Sequence, residues 1–247
     1  MGLYLYAILH EKDLPPAIAT KGIDSQPIES KVLSPFVVFY SEAQQERYLA
    51  SRANLLAHEK AIEAVMEAVG VKKAVPLPLQ FGLVVEDWEQ VDRDLIAGHQ
   101  DKLQALLQKL IGKREVGIKL FWDELKELNL VLEANADLKE KREAMAGKML
   151  SMDEAISIGR ELEEALEDHK QETIDSFLSV LQPLSHEYVE GELLTANMLY
   201  NAAFLIDWER EPEFAKAIDA LDAKFDNRLR IRYNNFTAPF NFVKMDE

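Results

Sequence analysis

Two glycines five residues apart, Gly112 and Gly117 in the run GKREVGIK, have the spacing with which a loop wraps a phosphate in backbone N–H groups. That chemistry needs a lysine directly after the second glycine and a helix beyond it. Ile118 stands there instead, and the run leads into a strand-like alternation. His58-Glu59 opens the pattern of a zinc-protease helix, but Ile62 occupies the position of the second metal-binding histidine. The histidines His10, His58, His99, His169 and His186 are too scattered along the chain to suggest a ligand set. His99 lies on the apolar stripe of its segment and is expected to be a core histidine bonded to a backbone carbonyl. Glu161, Glu163, Glu164, Glu167 and Asp168 would serve acid–base chemistry only if one of them sat in an apolar pocket. Ile158, Leu162, Ala165 and Leu166 form the other face of that segment, so the carboxylates read as the wet side of an amphipathic helix. Arg228, Arg230 and Arg232 form a comb on one strand face, expected to be balanced by neighbouring acids rather than laid on phosphate. Asn235-Phe236-Thr237 has a glycosylation spacing with no secretory signal before it, and reads as chance. No catalytic set emerges. These residues suggest no enzyme, no cofactor and no metal, and favour a binding or structural role.

The bulk numbers narrow the partners. The chain has 247 residues, 48% hydrophobic and 29% charged, enough for one large domain or two ordinary ones with a real core. Its net charge of −16 repels phosphate backbones and anionic lipid, which argues against nucleic acid and bare membrane as partners. Residues 1–112 carry 11 basic and 15 acidic side chains; residues 113–247 carry 17 and 29. Cysteine is absent, which fits a reducing compartment. With no secretion signal and no apolar run of about 18–20 residues, the chain reads as cytoplasmic.

The elements that would position any site follow from periodicity. Leu3 to Leu9 and Phe36 to Tyr40 read as strands on either side of a turn-rich stretch holding Pro15, Pro16, Gly22 and Pro27. From Ser41 the pattern turns helical: Tyr48, Leu55, Ile62 and Val69 recur every seven residues, and Gly70 stops them. Ala74 to Val85 is strand-like, and Trp88 to Leu110 gives one helical stripe closed by Gly112. The second half starts with a strand from Glu115 to Trp122. A long helical region follows, about 123–182, breaking at Gly147 and Ser151. Two strands, 185–190 and 198–206, a helix from Phe214 to Phe225, and the alternating strand Arg228 to Tyr233 complete it. The expected fold is α+β with two domains, 1–112 and 113–247. The second would be a modified ferredoxin-like βαββαβ unit whose helical insertion projects near residues 130–155. Beyond the last strand, Pro239, Phe240 and Phe242 need something to pack against, in this chain or in a partner.

Several of these segments, in order, are similar to one family. The opening LYLYAIL is similar to its first strand. Pro76-Leu77-Pro78-Leu79-Gln80-Phe81-Gly82 resembles an LPLRFG signature with Gln80 in place of arginine. Val116-Gly117-Ile118-Lys119-Leu120, Asn201 to Asp207, and the ending RLRIRYNNFTAPFNFV resemble three further motifs. The last departs most, keeping Pro239, the aromatic Phe240 and Phe242-Val243. The chain thereby resembles the gas vesicle protein F/L family, its F branch in particular. The resemblance implies a minor, non-enzymatic accessory of gas vesicles, found with the vesicle in the cytoplasm. Its partners would be the very hydrophobic shell subunit and other gas vesicle accessory proteins, and it would assist nucleation or assembly and limit subunit aggregation. Pro78, Gln80, Phe81, Gly82, Pro239, Phe240 and Phe242 are the motif positions expected to pack or to touch a partner. A ferredoxin-like regulatory module that binds a small-molecule ligand is the alternative reading.

Overall fold

The computed structural model describes residues 2–70, 74–147 and 151–243. Helices and two antiparallel sheets share the chain. Contacts divide it into two compact units, each assembled from separated segments. One comprises Met1–Val116, Leu205–Glu211 and Asn235–Glu247; the other comprises Gly117–Phe204 and Pro212–Asn234.

In the first unit, β1 (Gly2–His10), β2 (Glu29–Leu33) and β3 (Phe36–Ala43) pair in the order β2-β3-β1, and β4 (Leu77–Pro78) and β5 (Val84–Val85) both join β1. Tyr4 to Leu9 are buried without interruption, and β1 meets both α1 (Arg52–Val69) and α3 (Gln100–Leu110). The β1–β3 register shifts between Leu5 and Ala7, a bulge at Tyr6. β2 has the polar sequence ESKVL and sits at the sheet edge, so its strand character comes from pairing with β3 and left no trace in hydrophobic alternation.

Four expectations need correction here. β3 runs on to Ala43, and α1 begins only at Arg52, where the Ser51 side chain caps the Asn54 N–H. Tyr48 therefore lies outside the helix whose heptad it seemed to start. Its hydroxyl donates to Asp24 Oδ2 at 2.7 Å and accepts the Gln44 N–H. The stretch 74–85 contributes only two strands of two residues each to the sheet. The stripe from Trp88 divides into α2 (Trp88–Val91), a π-helical turn (Asp92–Ala97) and α3. His99 stands at the N-cap position of α3 without a side-chain cap bond and is half-buried; its Nδ1 has no hydrogen-bond partner among the described residues, so it is not the carbonyl-bonded core histidine expected.

The second sheet has the order β7-β8-β6-β9, from β6 (Lys113–Phe121), β7 (Glu187–Glu190), β8 (Met198–Asp207) and β9 (Arg230–Thr237). Val116, Ile118, Leu120 and Trp122 are buried, as their alternation requires. The helical region holds α4 (Glu124–Ala134), α5 (Ala136–Gly147) and the 30-residue α6 (Met152–Leu181). It breaks at Asn135, whose side chain accepts the Leu138 N–H, as well as before Ser151, which caps α6 with Glu154 in a reciprocal box. These three helices pack on one another, burying Leu132 and Leu138. Lys148 to Leu150 of the expected projection lie outside the described residues. α7 (Glu211–Lys224) turns Phe214, Ile218 and Leu221 inward; within the second unit Phe214 meets Phe204, and Phe225, just past the helix, stacks on Phe177.

Candidate functional site

A buried polar arrangement in the first unit is built on His58. Its ring lies 3% exposed on the buried stripe of α1, in line with Ala61, Ile62, Val65 and Met66. Nε2 stands 3.1 Å from the Leu79 carbonyl, which can only accept, so Nε2 carries the proton. Nδ1 is then an acceptor, 3.0 Å from the Tyr4 hydroxyl, and that hydroxyl accepts the Gly82 N–H at 3.0 Å. The chain of bonds closes only while the imidazole is neutral. Burial enforces this by lowering the His58 pKa from 6.5 to about 4. Burial also pushes the Tyr4 hydroxyl well above the usual tyrosine range, so it remains a donor.

Tyr6 forms a second branch. Its hydroxyl donates to Ser41 Oγ at 3.0 Å and accepts the Ile23 N–H at 2.8 Å. A Cβ on Gly22 would fall 2.0 Å from that hydroxyl, so this approach excludes any larger residue.

The tail after β9 is held within the same unit. The Glu115 carboxylate, 4% exposed, accepts the Asn241 backbone N–H at 3.0 Å and its side-chain amide at 2.6 Å. Burial raises its pKa from 4.5 to about 7, against the lowering effect of those two bonds. Phe240 packs 6.3 Å from the His58 ring and Phe242 is buried under the Lys109 ammonium.

Among the described residues no group of three or more His, Cys, Asp or Glu could hold a metal, and no helix is long and apolar enough to cross a membrane.

Comparison with known proteins gives this geometry a context. A family model described as gas vesicle synthesis protein GvpL/GvpF matches residues 2–244. Gas vesicle protein F of Dolichospermum flosaquae is 50% identical over 99% of this chain and 98% of its own length. The chain belongs to the GvpL/GvpF family. The crystal structure of GvpF from Anabaena sp. superposes with a TM-score of 0.86 at 43% identity, covering 100% of this chain and 97% of that one. That of GvpF from Microcystis aeruginosa gives 0.84 at 46%, covering 99% of each.

Three of the segments that resemble family motifs meet at His58: the opening strand through Tyr4, residues 76–82 through Leu79 and Phe81, and the ending through Phe240. Phe81 lies 5.7 Å from its ring and 6.4 Å from Tyr4, facing the same cluster as Phe240. Gly82 has φ +85° in a turn closed by the Leu83 N–H on the Gln80 carbonyl, a backbone conformation that favours glycine. Pro78 and Pro239 are buried, Phe81 and Phe240 half-buried, and Gln80 is exposed. In the sequence His58 stands out only as part of an incomplete zinc motif; the signal that would have found it is the spacing of 58, 61, 62, 65 and 66, the stripe of a buried helix face. Glu115 carried no local signal, because alternation with Val116 places it on the wet face and only the distant Asn241 covers it.

The second unit hides another carboxylate. Glu127, 1% exposed, accepts His169 Nε2 at 2.9 Å and pairs with Arg228. Trp122 stacks on the His169 ring. Of the arginine comb, then, Arg228 meets an acid as expected, while Arg230 and Arg232 lie over the Phe121 ring at 4.3 and 5.2 Å. The Glu161 to Asp168 row is half-buried or exposed, with Lys141 joining Glu161 to Asp137.

Proposed function

We propose that this chain is a cytoplasmic, non-enzymatic accessory of the gas vesicle that binds the hydrophobic shell subunit. With other gas vesicle accessory proteins it assists nucleation or assembly and keeps the subunit from aggregating. The observation that carries this reading is end-to-end similarity to gas vesicle protein F at 50% identity. Physical chemistry supports it. An escort for a greasy subunit needs apolar contact surface and enough charge to keep the complex dispersed. The chain has a net charge of −16, and it leaves Leu49, Leu125, Met152 and Leu194 exposed by 84, 71, 81 and 64%.

In the same reading, residues 1–112 form an α+β domain and 113–247 a modified ferredoxin-like domain. The element order β-α-β-β-α-β and the strand order β7-β8-β6-β9 support the second assignment. Pro78, Gly82, Pro239 and Phe242 serve packing, Phe81 and Phe240 flank the histidine, and Gln80 is left for a partner.

Co-expression tests the function. The shell subunit made with this chain should stay in the soluble fraction and co-elute with it on gel filtration. Unchanged solubility and separate elution would remove the proposal.

A further inference from the structure

A groove of about 520 Å³ lies wholly within the unit formed by 117–204 and 212–234, where the end of β6, α6 and the loop before β8 come together. Its floor is apolar: Trp122 and Met198 are buried and Leu166 is half-buried. Its lip is formed by Leu193 and Leu194, adjacent residues of an irregular loop, 50 and 64% exposed. Single exposed leucines are ordinary, but a pair opening onto an apolar floor leaves an incomplete contact. The rim has a sign. Glu124, Glu163 and Glu167 face the groove, and Lys170, the cation among the lining residues, already spans both oxygens of Glu167 at 3.0 and 3.1 Å. A segment entering here meets apolar side chains at the centre and excess negative charge around them. Nucleic acid and anionic lipid are repelled by the same rim.

We propose that this groove docks a short amphipathic segment of the shell subunit, with apolar side chains between Leu193, Leu194 and Leu166 and flanking lysine or arginine side chains on Glu124, Glu163 and Glu167. The proposal rests on the shell-binding reading and adds to it the surface used and the chemistry of the segment. Charge on the rim governs encounter and salt dependence; the leucines govern residence.

Two measurements on the full chain test it. The first is fluorescence anisotropy with a labelled 14-residue leucine–lysine helix, using a leucine–glutamate peptide of the same pattern as control. The second is capture of the co-expressed shell subunit. The wild type should bind the lysine peptide, more weakly as salt rises, and should not bind the control. L193S/L194S should weaken binding about tenfold or more, from lost apolar burial. E163Q/E167Q should weaken it about threefold and flatten the salt dependence. Both variants alter exposed side chains, so circular dichroism and melting should match the wild type. Shell-subunit capture should fall in the same order. Peptide binding that is equal in all forms overturns the groove. Equal capture by wild type and variants also overturns it while leaving shell binding intact. Loss of capture by the wild type itself overturns the shell-binding reading, whatever the peptide does.

Discussion

Replacing Glu115 by glutamine separates the cost of a buried charge from the value of the bonds it makes. The carboxylate is 4% exposed and its two contacts both come from Asn241. Burial dominates, and its pKa rises from 4.5 to about 7. The folded state therefore binds the proton more tightly than the unfolded chain does. The sign follows: the stabilisation from this group is complete below pH 4.5 and is lost as pH rises through 7. At about 1.4 kcal/mol per pH unit, the full loss is about 3 kcal/mol, and about 2 kcal/mol of it falls between pH 5.5 and 8.5. Glutamine keeps an acceptor for the Asn241 backbone N–H, and the Asn241 amide can turn its oxygen toward the new NH2 group. What disappears is the ionisation.

The measurement is urea unfolding of wild type and E115Q across that pH range, which stays clear of the isoelectric point of about 4.8. Every other titrating group is common to both proteins and cancels in the difference. The stability difference should move in favour of E115Q by about 2 kcal/mol from the acidic to the alkaline end. A difference constant to within about 0.5 kcal/mol would mean that the carboxylate is hydrated in the folded protein and that the tail does not cover it.

The other predictions concern the same interior and its counterpart in the second unit. His58 has the opposite sign: its pKa is lowered to about 4, so its stabilisation is complete above 6.5 and drains away as pH falls toward 4. H58A should lose about 2–4 kcal/mol at pH 7.5 in urea unfolding, and less at pH 5.5, because it strands the Tyr4 hydroxyl and the Leu79 carbonyl. G22A should cost about 2 kcal/mol or more by displacing the Tyr6 hydroxyl, whereas G98A, with nothing within 4 Å, should stay within about 0.5 kcal/mol, both read as melting shifts. R228M should cost about 3 kcal/mol in chemical unfolding by leaving Glu127 underpaired, and adding E127Q should restore part of it. Deleting residues 239–247 should lower the melting temperature, because Phe242 is buried and burying such a ring contributes about 1.5–3 kcal/mol.

What the sequence revealed followed the reach of each signal. The alternation at Val116, Ile118 and Leu120 and the stops at Gly70 and Ser151 are local, and they predict β6, the end of α1 and the start of α6. Signals that depend on a distant neighbour failed. β2 is a strand because β3 lies beside it, and its polar face is an edge strand's face. Tyr48 mimicked a heptad because an aromatic that must reach Asp24 is apolar by composition though polar in use. The buried acids illustrate the same limit. The carboxylates that crowd one helix, Glu161 to Asp168, are half-buried or exposed, while Glu115 and Glu127 stood inconspicuously and are buried.

His58 and Glu115 bear on how the two motif segments work together. Leu79, Phe81 and Gly82 come from one and Phe240 and Asn241 from the other, and both close on groups whose favoured state is uncharged. The histidine resists protonation and the glutamate resists ionisation, each because water has been excluded around it. Their pH slopes oppose one another, so between about pH 5 and 6.5 the loss at one is offset by the gain at the other. Either substitution alone should therefore expose a pH dependence that the wild type conceals. The tail touches both groups in the interior of the first unit, Asn241 at Glu115 and Phe240 beside the His58 ring. A chain whose tail left that interior would admit water to both groups and return both pKa values toward ordinary ones. Its stability would then lose both slopes at once, which distinguishes a released tail from damage at either residue.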